Sequence, residues 1–249
     1  MLNENKVIII IPTYNEAQTI SRTLIQLEQE IDKVHPYDIQ ILIIDSNSTD
    51  NTIKEVEKLQ LQFTNLYLIT EAEKTGLGSA YKKAMIHAME KMQANVIFEF
   101  DADGSHQPKY ILPMLNTLYS GFDVVVGSRY IKGGSIPSNW VWYRRLLSRA
   151  GNWFSQVMLS KCYKDYTSGF RATKSSFLKK IEIEKLLFKN YTYKIELFWR
   201  LHHAGAKIIE FPIDFIDRDA GVSKFPRNNI IASLCIVMRL KFTNFSKKS

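Results

Sequence analysis

Up to residue 127 the chain alternates short apolar runs with amphipathic stretches. The runs at 7–11, 39–44, 66–69, 96–100 and 123–127 are rich in β-branched and aromatic residues and read as strands. Between them, 19–34, 51–61, 79–92 and 108–119 carry apolar residues at helical spacing. Strands that are apolar almost throughout are buried on both sides. The pattern therefore predicts an α/β fold, a mostly parallel central sheet with helices on both faces. Ligands of such sheets bind beyond the carboxyl ends of the strands.

After Gly127 the rhythm changes. Residues 128–137 read as a loop, followed by a helix in which Trp140, Tyr143, Leu147, Ala150, Phe154 and Met158 share a face. A helix at 192–204, a strand at 208–213, a loop at 214–226 and a last helix at 228–242 complete the pattern. With no repeat, low-complexity tract or linker, the expectation is one domain over 1–249. It divides into 7–127, 128–226 and a C-terminal amphipathic helix at 227–249.

Composition narrows the partners. The 33 Lys+Arg against 25 Asp+Glu leave a net charge of +8, which calls for an anion: nucleic acid, a phosphorylated small molecule or an acidic membrane surface. Two cysteines, Cys162 and Cys235, are too few for a disulfide scaffold or a cysteine zinc site and read as reduced thiols of a cytosolic protein. No run reaches the roughly 18 apolar residues that span a bilayer, and 7–11 is too short for a signal-peptide core. The chain is expected neither to cross a membrane nor to be secreted.

Chemistry gathers at the strand ends. The first strand runs into Pro12-Thr13-Tyr14-Asn15-Glu16 and the second into Asp45-Ser46-Asn47-Ser48-Thr49-Asp50. An aromatic ring and carboxylates there suit a nucleoside, although Asp50 and Thr19 equally suit helix caps. The fourth strand runs into Asp101-Ala102-Asp103-Gly104-Ser105-His106. In an extended strand Asp101 and Asp103 point to one side. Two such carboxylates repel unless a cation joins them, and hard oxygen ligands suit Mg²⁺ or Mn²⁺ bridging a diphosphate. A solvated acidic turn is the alternative. Gly76-Leu77-Gly78 lets helix-start amides approach an anion or forms a plain turn. Tyr81 replaces the third glycine of a dinucleotide fingerprint, and the phosphate-loop pattern is absent. Cations follow: Arg129, Arg144 with Ser148 one helical turn on, and Arg218 and Lys224 around Gly221. The adjacent His202 and His203 read as structural or surface residues.

These residues, with Gly127-Ser128-Arg129-Tyr130, Thr167-Ser168-Gly169-Phe170-Arg171 and Asp217-Arg218…Gly221…Ser223-Lys224, resemble the dolichyl- and polyprenyl-phosphate mannose synthases, over about 7–226. These are inverting family-two glycosyltransferases with the Rossmann-like GT-A fold. The resemblance implies a nucleotide-sugar half at 7–127 and an acceptor half at 128–226. Pro12, Tyr14, Glu16 and the second strand's end (Ile44, Asp45, Ser46) would hold the nucleoside, and Gly76, Asp101 and Ala102 would line the nucleotide sugar. Metal would sit on Asp101, Asp103 and Ser105. Asp103, Arg129, Arg218 and Lys224 would serve catalysis, the three cations on the donor phosphates, and Arg144 with Ser148 would receive the lipid phosphate. The family usually has a second aspartate where this chain has Ser46, a weaker partner for guanine.

A phosphate acceptor also fits elementary chemistry. A phosphate monoester, with its second pKa near ~6, is largely ionised and needs no general base, only cations that let two anions meet. Asp165 is the one acid left as a candidate base. The aromatic and apolar residues beside Arg144, Arg145 and Arg149, and the face of Ile230, Ile231, Leu234, Met238 and Phe242 near Arg239 and Lys241, suit an interfacial helix as well as a core-closing one. The expectation is mannose transfer from GDP-mannose to a polyprenyl phosphate by a peripheral enzyme on the cytoplasmic face of a membrane, with room for a separate anchoring subunit. UDP-glucose as donor, and a non-catalytic nucleotide-sugar-binding subunit, are the alternatives; no motif supports nucleic acid.

Overall fold

The computed structural model describes residues 5–33, 36–186, 190–217 and 228–243. Strands β1 (Lys6–Thr13), β2 (Asp38–Asp45), β3 (Leu66–Thr70) and β4 (Val96–Glu99) alternate with helices α1 (Ile20–Ile31), α2 (Thr52–Gln60) and α3 (Leu77–Glu90). Then follow α4 (Ile111–Tyr119), β5 (Val124–Ser128), α5 (Trp142–Met158), β6 (Arg171–Lys174), α6 (Ser175–Lys180), α7 (Tyr193–His203), β7 (Ile208–Pro212) and α8 (Asn228–Phe242).

The strands form one seven-stranded sheet in the order β3-β2-β1-β4-β6-β5-β7. All pairings are parallel except those of β6, which runs against both β4 and β5. Alternation along β1 sorts the core. Val7, Ile9 and Ile11 pack with α1, α2 and α4 on one face. Ile8 and Ile10 pack with α3, α7 and α8 on the other. Because β6 is reversed, the residues just before it lie at the same edge as the carboxyl ends of β1, β2, β4 and β5. Residues 167–170 are thereby delivered to the place where the parallel strands present their polar ends.

The predicted first-half elements agree with the structure to within a few residues. Strand β6 was not foreseen, although its residues stood in a recognised motif.

Candidate active site

At the ends of β1 and β2 the chain turns through Asn15 (φ 55°) and Asn47 (φ 60°), left-handed positions that a short polar side chain tolerates. The buried Asp45 carboxylate accepts from Thr13 Oγ1 (2.7 Å), Ser48 N (2.7 Å) and Ser48 Oγ (2.6 Å). It organises the loop from within. Asp50 accepts from Thr52 N at 2.9 Å and Ala17 N at 3.2 Å, so it caps α2 and ties the two loops together. Glu16 is anchored through its backbone N–H, which donates to Thr52 Oγ1 at 2.8 Å. Pro12 lies at the same edge, half-buried. Ile44, expected to touch substrate, belongs by its side chain to the core: β2 alternation turns it into the α3 face.

Two side chains that sequence reasoning missed complete this corner. Lys74 Nζ stands 3.4 Å from the centroid of the Tyr14 ring. Glu71, just beyond β3, accepts from Ser46 Oγ (2.7 Å), Thr75 Oγ1 (2.7 Å) and Lys83 Nζ (2.6 Å). Burial pushes the Glu71 pKa up, but these donors prevail and hold it below the usual carboxylate value. A carboxylate thus stands beside Ser46 after all, supplied by the neighbouring strand. Gly76, at φ 100°, opens α3; a side chain would strain that turn.

β4 stops at Glu99, so the expectation that Asp101 and Asp103 share a side through an extended strand is corrected. Glu99 is locked to Arg171 in β6, and the chain then turns, with Gly104 at φ 77°. Both aspartates nevertheless line one cavity of about 100 Å³, with Ser105, His106, Arg129, Lys194 and Phe215 in its wall. Ala102 is buried, and its carbonyl accepts from Thr23 Oγ1 at 3.0 Å. His106, visible in the motif but given no role, shapes the turn. Its Nδ1 accepts from Asp101 N at 3.0 Å, its Nε2 lies 3.5 Å from Asp101 Oδ2, and the ring stacks on Phe170 at 4.8 Å. Burial outweighs the pull of Asp101 and lowers the His106 pKa.

The fit to a divalent cation can be judged from the donors. Among the described residues no three His, Cys, Asp or Glu side chains form a metal cluster. Mg²⁺-type sites need only one or two carboxylates when substrate phosphates and water complete the shell. Asp101 and Asp103 supply these. Ser105 donates its N–H to Asp103 Oδ1 at 3.1 Å, while its buried Oγ has no hydrogen-bond partner among the described residues. An orphaned hydroxyl beside a carboxylate fits a hard cation.

Arg129 Nε and Nη2 grip Asp165 in a fork, each at 2.8 Å, and Nη2 also reaches Thr167 Oγ1 at 2.7 Å. Burial opposes both charges, yet their attraction prevails, lowering the Asp165 pKa and raising that of Arg129. This corrects the reading of Asp165 as a candidate base: its oxygens are engaged by the guanidinium and by Arg129 N at 3.1 Å. Arg144 and Ser148 are not in the cavity wall. Ser148 Oγ is 2.6 Å from Tyr130 OH, while Arg144 lies over the Trp140 ring at 3.9 Å and reaches Asp217 at 3.4 Å. Residues 215–217 join the two places: Phe215 lines the cavity and meets Trp140 edge-on, and Asp217 accepts from Trp140 Nε1 at 3.2 Å. Arg218 and Lys224 lie outside the described residues.

α5 buries only Asn152 and Ser155 and leaves Trp142 (75% exposed), Tyr143, Leu146, Leu147 and Trp153 outward. On α8, Val237 and Leu240 face the core, while Ile231, Leu234, Met238 and Phe242 are exposed. Among the described residues no helix is long and apolar enough to cross a membrane. His202, as expected, is structural, with its Nδ1 3.0 Å from Tyr163 OH.

Residues 8–182 match the model of glycosyl transferase family 2. The chain is 34% identical to polyprenol monophosphomannose synthase of Mycolicibacterium smegmatis over 90% of its length and 83% of the relative's. It is 32% identical to undecaprenyl-phosphate mannosyltransferase of Micrococcus luteus, over 88% and 87% respectively. Among solved structures it superposes on glucosyl-3-phosphoglycerate synthase of Mycobacterium tuberculosis, crystallised with Mn²⁺, UDP and glucosyl-3-phosphoglycerate. The TM-score is 0.63 at 16% identity, with 95% of this chain and 78% of that one covered. The fold is of the GT-A kind.

Proposed function

The chain belongs to glycosyl transferase family 2, alongside polyprenyl-phosphate mannose synthases, and on that premise we propose that it moves mannose from GDP-mannose to a polyprenyl phosphate with inversion. The observation that carries the reading is the cavity itself. Two carboxylates and an orphaned hydroxyl face cationic walls, while Asp165 is bound to Arg129. A site so arranged suits an acceptor that arrives already ionised. A lipid phosphate oxygen attacks the anomeric carbon, and the bond from that carbon to the donor's diphosphate oxygen breaks on the opposite side. No proton has to leave the nucleophile.

Asp101, Asp103 and Ser105 would hold Mg²⁺ or Mn²⁺, which when bound supplies charge neutralisation to the departing diphosphate. The Mn²⁺ bound by the solved glucosyl-3-phosphoglycerate synthase agrees with this. Arg129, kept charged by Asp165, presents a fixed cation at the cavity wall. Arg218 and Lys224 would add two more. The nucleoside would lie against Tyr14, Pro12 and Glu16, with the Ser46–Glu71 pair supplying the acceptor that guanine N–H groups need. Arg144 and Ser148, joined to the cavity by Phe215 and Asp217, would guide the lipid phosphate. The outward aromatic face of α5 and the apolar face of α8, with Arg145, Arg149, Arg239 and Lys241 among them, suit peripheral contact with the cytoplasmic membrane surface, where the acceptor resides.

The test is transfer of labelled mannose or glucose from GDP- and UDP-linked donors to a short polyprenyl phosphate in detergent with Mn²⁺. Labelled mannosyl lipid from GDP-mannose alone is the expected result. Transfer from UDP-glucose instead would replace the donor assignment, and transfer from no donor would overturn the proposal.

A further inference from the structure

Lys194 stands out as a nearly buried cation in the wall of the cavity. It is the second residue of α7, its side chain is 10% exposed, and Nζ lies 3.8 Å from Asp101 Oδ2. Its route into the cavity is made by Gly169. A Cβ on that residue would collide with Lys194 Nζ and Cε, so the missing side chain leaves a slot that the lysine fills. The backbone end is fixed too, since the Lys194 carbonyl accepts from Arg171 Nη1 at 3.4 Å, deep in the sheet.

The charges in the cavity explain what this placement does. Asp101 and Asp103 bring two negative charges, and Arg129 is matched by Asp165. Among the described residues, Lys194 is a cation that offsets part of the charge of Asp101. An ammonium and a divalent ion cannot both be in contact with one carboxylate edge without repelling each other. We propose that Lys194 is a resident counter-cation, holding Asp101 in the metal-free enzyme and displaced from it when a divalent cation binds. The proposal rests on the metal reading of Asp101, Asp103 and Ser105. Lys194 thereby weakens metal binding to the empty enzyme, and its displaced ammonium remains in the wall of the cavity, as a cation for a phosphate-bearing ligand.

The test is direct binding of Mn²⁺, without donor or acceptor, followed by the electron paramagnetic resonance of free Mn²⁺. Wild type is compared with K194M and K194Q, two neutral replacements so that one failing to fold does not decide the matter, with K194R, which keeps the charge, and with D103A. Both neutral variants should bind Mn²⁺ about tenfold more tightly, the equivalent of about 1.4 kcal/mol, while K194R stays within about twofold of wild type. Wild-type affinity, or weaker, in the neutral variants overturns the role of Lys194 and leaves the metal site standing if D103A loses binding. Equal binding by D103A and wild type overturns the metal site, and the role of Lys194 with it.

Discussion

Glu99 and Arg171 are registered opposite each other on β4 and β6, with side chains 1% and 0% exposed. Arg171 donates through Nε at 2.5 Å and Nη2 at 3.0 Å. Burial works against its charge, but the Glu99 carboxylate outweighs this and keeps its pKa raised. The perturbation is R171M or E99M, each leaving one buried charge without its partner. Breaking such a pair costs about 3–5 kcal/mol, whereas replacing both members by apolar side chains is often near neutral. At roughly 2–4 °C per kcal/mol for a domain of this size, each single variant should melt about 6–20 °C below wild type. The double variant E99M/R171M should recover most of that loss. Urea unfolding followed by circular dichroism gives the free energies, and an unchanged slope in denaturant validates the comparison. A single variant that loses under about 1 kcal/mol, or a double variant as unstable as the sum of the singles, would refute the claim that the stranded charge is the destabilising agent.

Replacing Glu71 by Gln removes the carboxylate charge beside Ser46, turning one of its two acceptor oxygens into an amide donor. It should raise the KM for GDP-mannose about tenfold while kcat changes less, as steady-state kinetics would report. The depressed Asp165 pKa means that its carboxylate stabilises the fold fully above about pH 4 and progressively less as pH falls through the lower folded value. D165N should therefore be least stable relative to wild type near neutrality, with the gap closing below about pH 4 in a series of thermal melts; a gap that widens in acid contradicts the ion-pair account. Trp142 and Trp153 are 75% and 64% exposed, so W142A/W153A should leave stability within about 1 kcal/mol. It should also weaken sedimentation with vesicles containing anionic lipid by about tenfold, and undiminished sedimentation removes α5 from the membrane contact.

The first half was legible because its information is local. Five apolar runs and the helices between them declare a parallel sheet, and the polar residues at their ends declare a ligand edge. What escaped is held by distant partners. Arg171-Ala172-Thr173-Lys174 carries two charges in four residues and reads as surface until Glu99, 72 residues earlier in the chain, is seen beside it. Asp165 was visible as an acid, but only the fork to Arg129 separates an anchor from a base. Glu71 follows a short strand with no motif, and its value appears when β3 lies next to β2. Lys194 sits on a helix whose sequence shows nothing unusual; the slot left by Gly169 is what gives it a destination. The face of α8 read as interfacial or core-closing is divided in the structure: Val237 and Leu240 turn inward while Ile231, Leu234, Met238 and Phe242 are exposed.

The reversed strand β6 has a consequence for how the protein is made. On the ribosome, β1 to β4 emerge first and pair among themselves, yet the flank of β4 that receives β6 stays open until some 70 further residues have been synthesised. During that interval a sheet edge and the Glu99 carboxylate are both without their native cover, the kind of surface that recruits chaperones or other nascent chains. The arrival of 171–174 closes the edge, neutralises Glu99 and sets residues 167–170 over the aspartates in a single event. Closure of that sheet edge and delivery of residues 167–170 to the cavity are thus the same step, so a chain released before that strand would be both sticky and inert.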